Sequence, residues 1–185
     1  MKLTARSTLV EVAARVASVL AAAKIRAVLT GGACASLYSR GEYQSFDLDF
    51  ILQSVVSAER LDSVMKSIGF RRDGNRYVHP RAPFFIEFPA GPLGIGADID
   101  IRPVVYRVRG VRLRALSATD SCRDRLAAFY HWNDRQSLKA AVGIARRRRV
   151  NLDTIRRWSE REGESDRYGG FLALLRQARR SGRRR

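Results

Sequence analysis

The stretch Leu29-Thr30-Gly31-Gly32-Ala33, followed by Ser45-Phe46-Asp47-Leu48-Asp49-Phe50, decides how this chain is read. On a strand, side chains alternate between two faces. Asp47 and Asp49 then share one face, while Phe46, Leu48 and Phe50 share the other and anchor the strand on a core. Two neighbouring carboxylates repel each other and need a cation, hydrogen-bond donors or a shared proton. Their hard oxygen atoms suit Mg²⁺. Upstream, Gly31-Gly32 separates a short apolar strand, predicted over 26–30, from a short helix predicted over 33–38. Glycines let backbone N–H groups approach a phosphate, and a helix N-terminus favours negative charge. The turn can seat a triphosphate beside metal-binding acids.

A two-metal centre needs a third carboxylate. Glu87 stands alone among apolar residues in Phe84-Phe85-Ile86-Glu87-Phe88, where an acid needs a partner. Asp98 and Asp100, again two residues apart, are the alternative.

Outward from this centre, Ser7 is a candidate cap for a helix reaching about residue 23, with Leu9, Val12, Ala13, Val16, Val19 and Leu20 on its apolar face. Gly41 marks a turn. A helix is predicted over 57–68, stopped by Gly69. Strands are predicted over 77–79 and 83–88, then a loop over 89–96, then a hairpin of 99–108 and 111–116 around Gly110. Four helices follow, over 119–131, 134–148, 152–161 and 168–179, before a basic tail over 181–185. The order implies an α+β fold: a small mixed sheet flanked by helices, then a helical subdomain. The division falls at 1–118 and 119–185.

Lys and Arg number 35 against 18 Asp and Glu, a net charge of +17 with only four lysines. Such a surface attracts polyanions, nucleic acid above all. Arg146 to Arg149, the C-terminal arginines, and Arg156, Arg157 and Arg161 are candidate contacts. Trp158 reads as a packing residue. Cys34 and Cys122 suggest no disulfide framework, and with His79 and His131 they have no zinc spacing. Glu11 and Arg15 interrupt the N-terminal apolar run, which excludes a secretion signal. No segment is long enough to span a membrane. The chain reads as cytoplasmic.

Gly-Gly, a short helix, Ser-x-Asp-x-Asp and a later strand acid together resemble the DNA polymerase β-like nucleotidyltransferase superfamily. The pattern is most similar to the minimal AbiEii/MenT-like members of toxin–antitoxin systems. Arg123-Asp124-Arg125 through Trp132-Asn133-Asp134-Arg135 is similar to their later helical motif. The resemblance spans residues 25–145. It implies transfer of a nucleoside monophosphate from a triphosphate, ATP among the candidates, to an acceptor. Asp47, Asp49 and Glu87 would be catalytic and hold two Mg²⁺, or Mn²⁺ in their place. Gly31, Gly32, Ser45, Arg125 and Asp134 would bind nucleotide. The basic surface favours RNA as acceptor, the tRNA 3′ end in particular, and an acidic antitoxin is an expected partner. The alternative is a non-catalytic nucleic-acid-binding or regulatory protein on the same fold.

Overall fold

The structure is a computed structural model, and it describes residues 2–39 and 43–182. The turn expected at Gly41 and the last three arginines of the tail lie outside these residues. Among the described residues, seven strands form one mixed sheet: β1 (Ala27–Leu29), β2 (Asp47–Leu52), β3 (Arg71–Asp73), β4 (Arg76–Val78), β5 (Phe85–Glu87), β6 (Val104–Val108) and β7 (Val111–Ala115), in the order β3-β4-β5-β2-β1-β7-β6. Seven helices accompany them among the same residues: α1 (Leu9–Ala22), α2 (Gly31–Ser39), α3 (Ala58–Lys66), α4 (Ala118–Trp132), α5 (Arg135–Arg147), α6 (Leu152–Arg161) and α7 (Ser165–Gly182). The fold is mixed α/β.

Local chemistry sets the helix boundaries. Thr8, not Ser7, caps α1: its side chain accepts from Glu11 N–H while Glu11 accepts from Thr8 N–H. This reciprocal box satisfies two orphan donors. Ser57 caps α3, Ser117 caps α4, Asp134 caps α5 and Asn151 caps α6. Asn133, at φ 53°, takes the left-handed conformation that ends α4.

Register assigns the faces of the sheet. Leu29 pairs with Phe50 and with Ala115, while Ile86 pairs with Leu48 and Tyr77. All these side chains are buried, as is Leu113 on the same side. Alternation places Asp47, Asp49, Glu87 and Arg76 on the opposite face. On β6 and β7 that opposite face carries Val105, Arg107, Arg112 and Arg114, all exposed. Helix α1 packs along β7, β1 and β6, and α2 packs between β2 and the helices α4 and α5. Among the described residues no helix is long and apolar enough to cross a membrane.

Three expectations need correction. Phe46 precedes β2 and is 70% exposed, so only Leu48 and Phe50 anchor the strand. Residues 99–103 are not strand; Pro103 cannot donate to a ladder, and β6 begins directly after it. The short strand β3 was not expected, because Arg71-Arg72-Asp73 is exposed and has no apolar alternation. It is held by its ladder to β4 and by the Arg72–Asp62 ion pair. Cys34 and Cys122 are free and buried, and Trp158 is fully buried, stacked on Tyr130.

Candidate active site

The site begins where β1 hands over to α2. Thr30 N–H donates to the Asp49 carbonyl at 2.9 Å, which joins the end of β1 to the middle of β2. Gly31 follows at φ +62° and lies so close to Asp49 that a Cβ there would overlap its carboxylate. Both constraints require glycine. The helix therefore starts at Gly31 itself rather than after the glycines. A Cβ on Gly32 would collide with Ser45 Oγ. Ser45 in turn donates its hydroxyl to Asp47 Oδ1.

Parallel pairing of β2 with β5 places Asp49 beside Glu87 and Asp47 beside Phe85. Three carboxylates thus gather on one sheet face. Burial pushes the Asp49 carboxyl up to about 7, with Asp47 and then Glu87 adding repulsion; Arg125 offsets part of it. An excess of negative charge in a half-buried site is what a hard divalent cation relieves. Among the described residues no three His, Cys, Asp or Glu side chains converge into a preset cage. Asp47 leans to Ser45 and Asp49 to Gly31, a spreading that like charges favour. The donor set fits Mg²⁺ by its chemistry and its charge.

Arg125, on α4, is mostly buried, binds Asp124 at 2.8 Å and donates to Ser137 Oγ at 3.2 Å. It lines a cleft of about 410 Å³ together with Gly31, Asp49, Ile51, His131 and Trp132. Asp134 does not face the cleft as a free acid. It caps α5, accepting from Gln136 N–H, Ser137 N–H and Ser137 Oγ. Although burial opposes it, these bonds and Arg125 hold its carboxyl below the usual range. Its link to the cleft is therefore indirect, through Ser137 to Arg125.

The alternative acids are otherwise engaged. Asp100 is almost fully exposed, and Asp98 is bound by Arg123 and Arg161. Arg123 is 5% exposed, also pairs with Asp120 at 3.0 Å and lies over the Trp158 ring. Glu162, the C-cap of α6, accepts from Ala97 N–H at 3.0 Å and closes against Gly96. The Gly-rich loop that walls the cleft is thereby clasped to α4 and α6.

Two contributors escape a sequence reading. Arg76 sits in register beside Glu87 and over the Phe85 ring, because β4 pairs with β5. Trp132, 78% exposed, joins the cleft because α4 ends there. An exposed aromatic at a helix end was the one available signal for the latter.

The fold has counterparts among solved structures. An antigenic nucleotidyltransferase-like protein from Paracoccidioides brasiliensis matches with a TM-score of 0.55 and 16% identity, over 78% of this chain and 77% of that one. The antibiotic-resistance factor ANT(2'')-Ia matches in its solution structure with a TM-score of 0.50 and 11% identity, over 93% of this chain and 97% of that one. This is a nucleotidyltransferase-like fold. No protein-family model and no curated protein matches the sequence. At these identities the likeness concerns the fold, and the nucleotidyltransferase-like architecture leaves chemistry to be argued from the site.

Proposed function

We propose that this chain is a metal-dependent nucleotidyltransferase that moves a nucleoside monophosphate from a triphosphate to the 3′ end of an RNA, tRNA in particular. The observation that carries the reading is the placement of Asp49 against Gly31 on one side and beside Glu87 on the other. A phosphate-seating turn and an acid cluster thus meet at one point. The nucleotidyltransferase-like fold supports it.

Asp47, Asp49 and Glu87 would hold Mg²⁺, which supplies charge neutralisation at the α-phosphate and a more acidic acceptor hydroxyl when bound. The backbone at Gly31 and Gly32 would receive the triphosphate, and Arg125 would balance charge as pyrophosphate departs. Glu87 would take the acceptor proton. Ser45 would orient Asp47 through its hydroxyl. Asp134 would act one step removed, fixing Ser137 and so Arg125. Asp49 must be ionised to bind a cation, so transfer should rise with pH through about 7. The resemblance to AbiEii/MenT-like members extends the proposal to the toxin of a toxin–antitoxin pair, held by an acidic partner.

The test incubates the purified chain with each labelled nucleoside triphosphate, Mg²⁺ and total tRNA, beside Asp47→Ala and Asp49→Ala. Label should enter RNA with the wild type and with neither variant. Equal labelling by all three proteins, or none by the wild type under any triphosphate, overturns the enzyme reading in favour of a nucleic-acid-binding protein on this fold.

A further inference from the structure

The arginines that a sequence reading nominates for nucleic acid are largely engaged. Arg146 and Arg147 have interaction partners. Arg148 lies over the Tyr38 ring and reaches the Tyr106 hydroxyl at 3.5 Å. Arg156 and Arg157 pair with Asp153, and Arg161 pairs with Asp98. A cluster of positive charge without acidic partners among the described residues lies elsewhere, on the β6–β7 hairpin.

Arg107 and Arg112 are directly opposed across this hairpin, and Arg114 lies two residues further along β7. Like charges in direct cross-strand register destabilise a sheet. Acids commonly relieve such a pair, yet none of these three arginines has an acidic partner among the described residues. Val105, 41% exposed, completes the face. Around the strand end, Arg112 and Arg114 join Lys24 and Arg26 on the rim of a cavity of about 210 Å³ that has no acid in its lining. The same sheet face carries Asp47 and Asp49 on β2, two strands from β7. At the usual strand spacing the two strands are roughly 10 Å apart, and because Leu29 pairs with both Phe50 and Ala115, Arg114 stands two residues and Arg112 four residues along from Asp49, so the arginines lead away from the acids over the length of a few nucleotides.

We propose that Arg107, Arg112 and Arg114 form a track for the phosphodiester backbone of a single-stranded RNA, flanking the acid cluster and holding the acceptor strand. The spacing suits an irregular polyanion: side chains on alternate β7 positions are about 7 Å apart, close to a phosphate repeat. Guanidinium groups meet phosphate bidentately and stay charged at every working pH. The proposal rests on the transfer reading for its acceptor role, while binding itself needs no chemistry.

The experiment measures anisotropy of a short labelled single-stranded RNA bound to the full chain, in an Asp49→Asn background without triphosphate, over a range of salt. The triple variant Arg107→Ser/Arg112→Ser/Arg114→Ser should bind at least about tenfold more weakly at roughly 100 mM salt, and its log–log salt slope should flatten by about 2. Arg107→Glu alone should weaken binding in the same sense, with its melting temperature showing an intact fold. Arg176→Ser/Arg180→Ser on α7 should leave affinity and slope unchanged. Unchanged RNA binding by the triple variant, equal losses with the α7 variant, or no binding by the parent chain overturns the track. Failure of transfer in the wild type, with the triple variant still losing affinity, removes the enzyme reading and leaves the track standing.

Discussion

One sheet face holds two opposite concentrations of charge. On β2 and β5 stand Asp47, Asp49 and Glu87; on β6 and β7 stand Arg107, Arg112 and Arg114. Each set places like charges in neighbouring register, and each gives up sheet stability to do so. They differ in how they can respond. The acids relieve repulsion by taking a proton, and Asp49 does so with a carboxyl pushed up to about 7. The arginines have no such exit, since a guanidinium does not titrate in proteins. Their relief must come from anions or from salt. The charge of the acid half therefore answers to pH, and the repulsion within the basic half answers to ionic strength.

The comparison breaks most sharply at the acids. Asp49→Ala and Asp47→Ala should each lower nucleotidyl transfer by about 10³-fold or more, the loss expected when several kcal/mol of charge stabilisation disappear. Label transfer to tRNA measures it, and a loss under tenfold would remove these groups from the chemistry. Next comes Gly31→Ala. A methyl group there displaces the Asp49 carboxylate and strains a residue at φ +62°. Transfer should fall about 10²-fold, the cost of a misplaced reacting group, and the melting temperature should fall with it.

Asp49→Asn tests the proton response. The Asp49 carboxyl is raised from 3.8 to about 7, so the stability of its neutral form is fully present below 3.8 and is lost as pH rises through about 7. The asparagine variant keeps that stability. Without divalent cations it should melt roughly 5 °C above the wild type near about pH 8, with the gap closing toward about pH 4. Millimolar Mg²⁺ should narrow the gap at the higher pH by stabilising only the wild type. The smallest effect belongs to the basic half. Arg107→Glu converts the Arg107–Arg112 opposition into an attractive pair, worth up to about 1 kcal/mol. Calorimetry in low salt should show a rise of about 2–4 °C that shrinks in high salt.

The acid centre was largely legible in the sequence because its signals are local. Alternation alone places Asp47 with Asp49, and a glycine pair between a strand and a helix marks a turn. Glu87 was readable as an acid in an apolar strand, although its choice over Asp98 and Asp100 depended on which strand pairs with β2. The helices were legible through their periodicity, with ends shifted by a few residues where Thr8 or Ser117 supplies the cap. What stayed hidden is long-range. Nothing near Phe46 announces that β2 starts one residue later, and nothing near Arg76 announces its register with Glu87. Asp134 carries a capping signature, followed by Gln136 and Ser137, that competes with any reading of it as a ligand. The arginine track was masked by sheer abundance: a run such as 146–149 is conspicuous in one dimension, whereas Arg107, Arg112 and Arg114 converge only across a hairpin.

The clasp between Glu162 and the backbone at Ala97, with Asp98 gripped by Arg123 and Arg161, has a consequence for how the molecule tolerates dissection. The wall of the cleft is built by one half of the chain and moored by the other. A fragment ending after β7 would keep the acids and both glycines yet lose the moorings of residues 96–98, and with them the contour of the cleft. Helices that contribute no acid to the centre thus govern its shape.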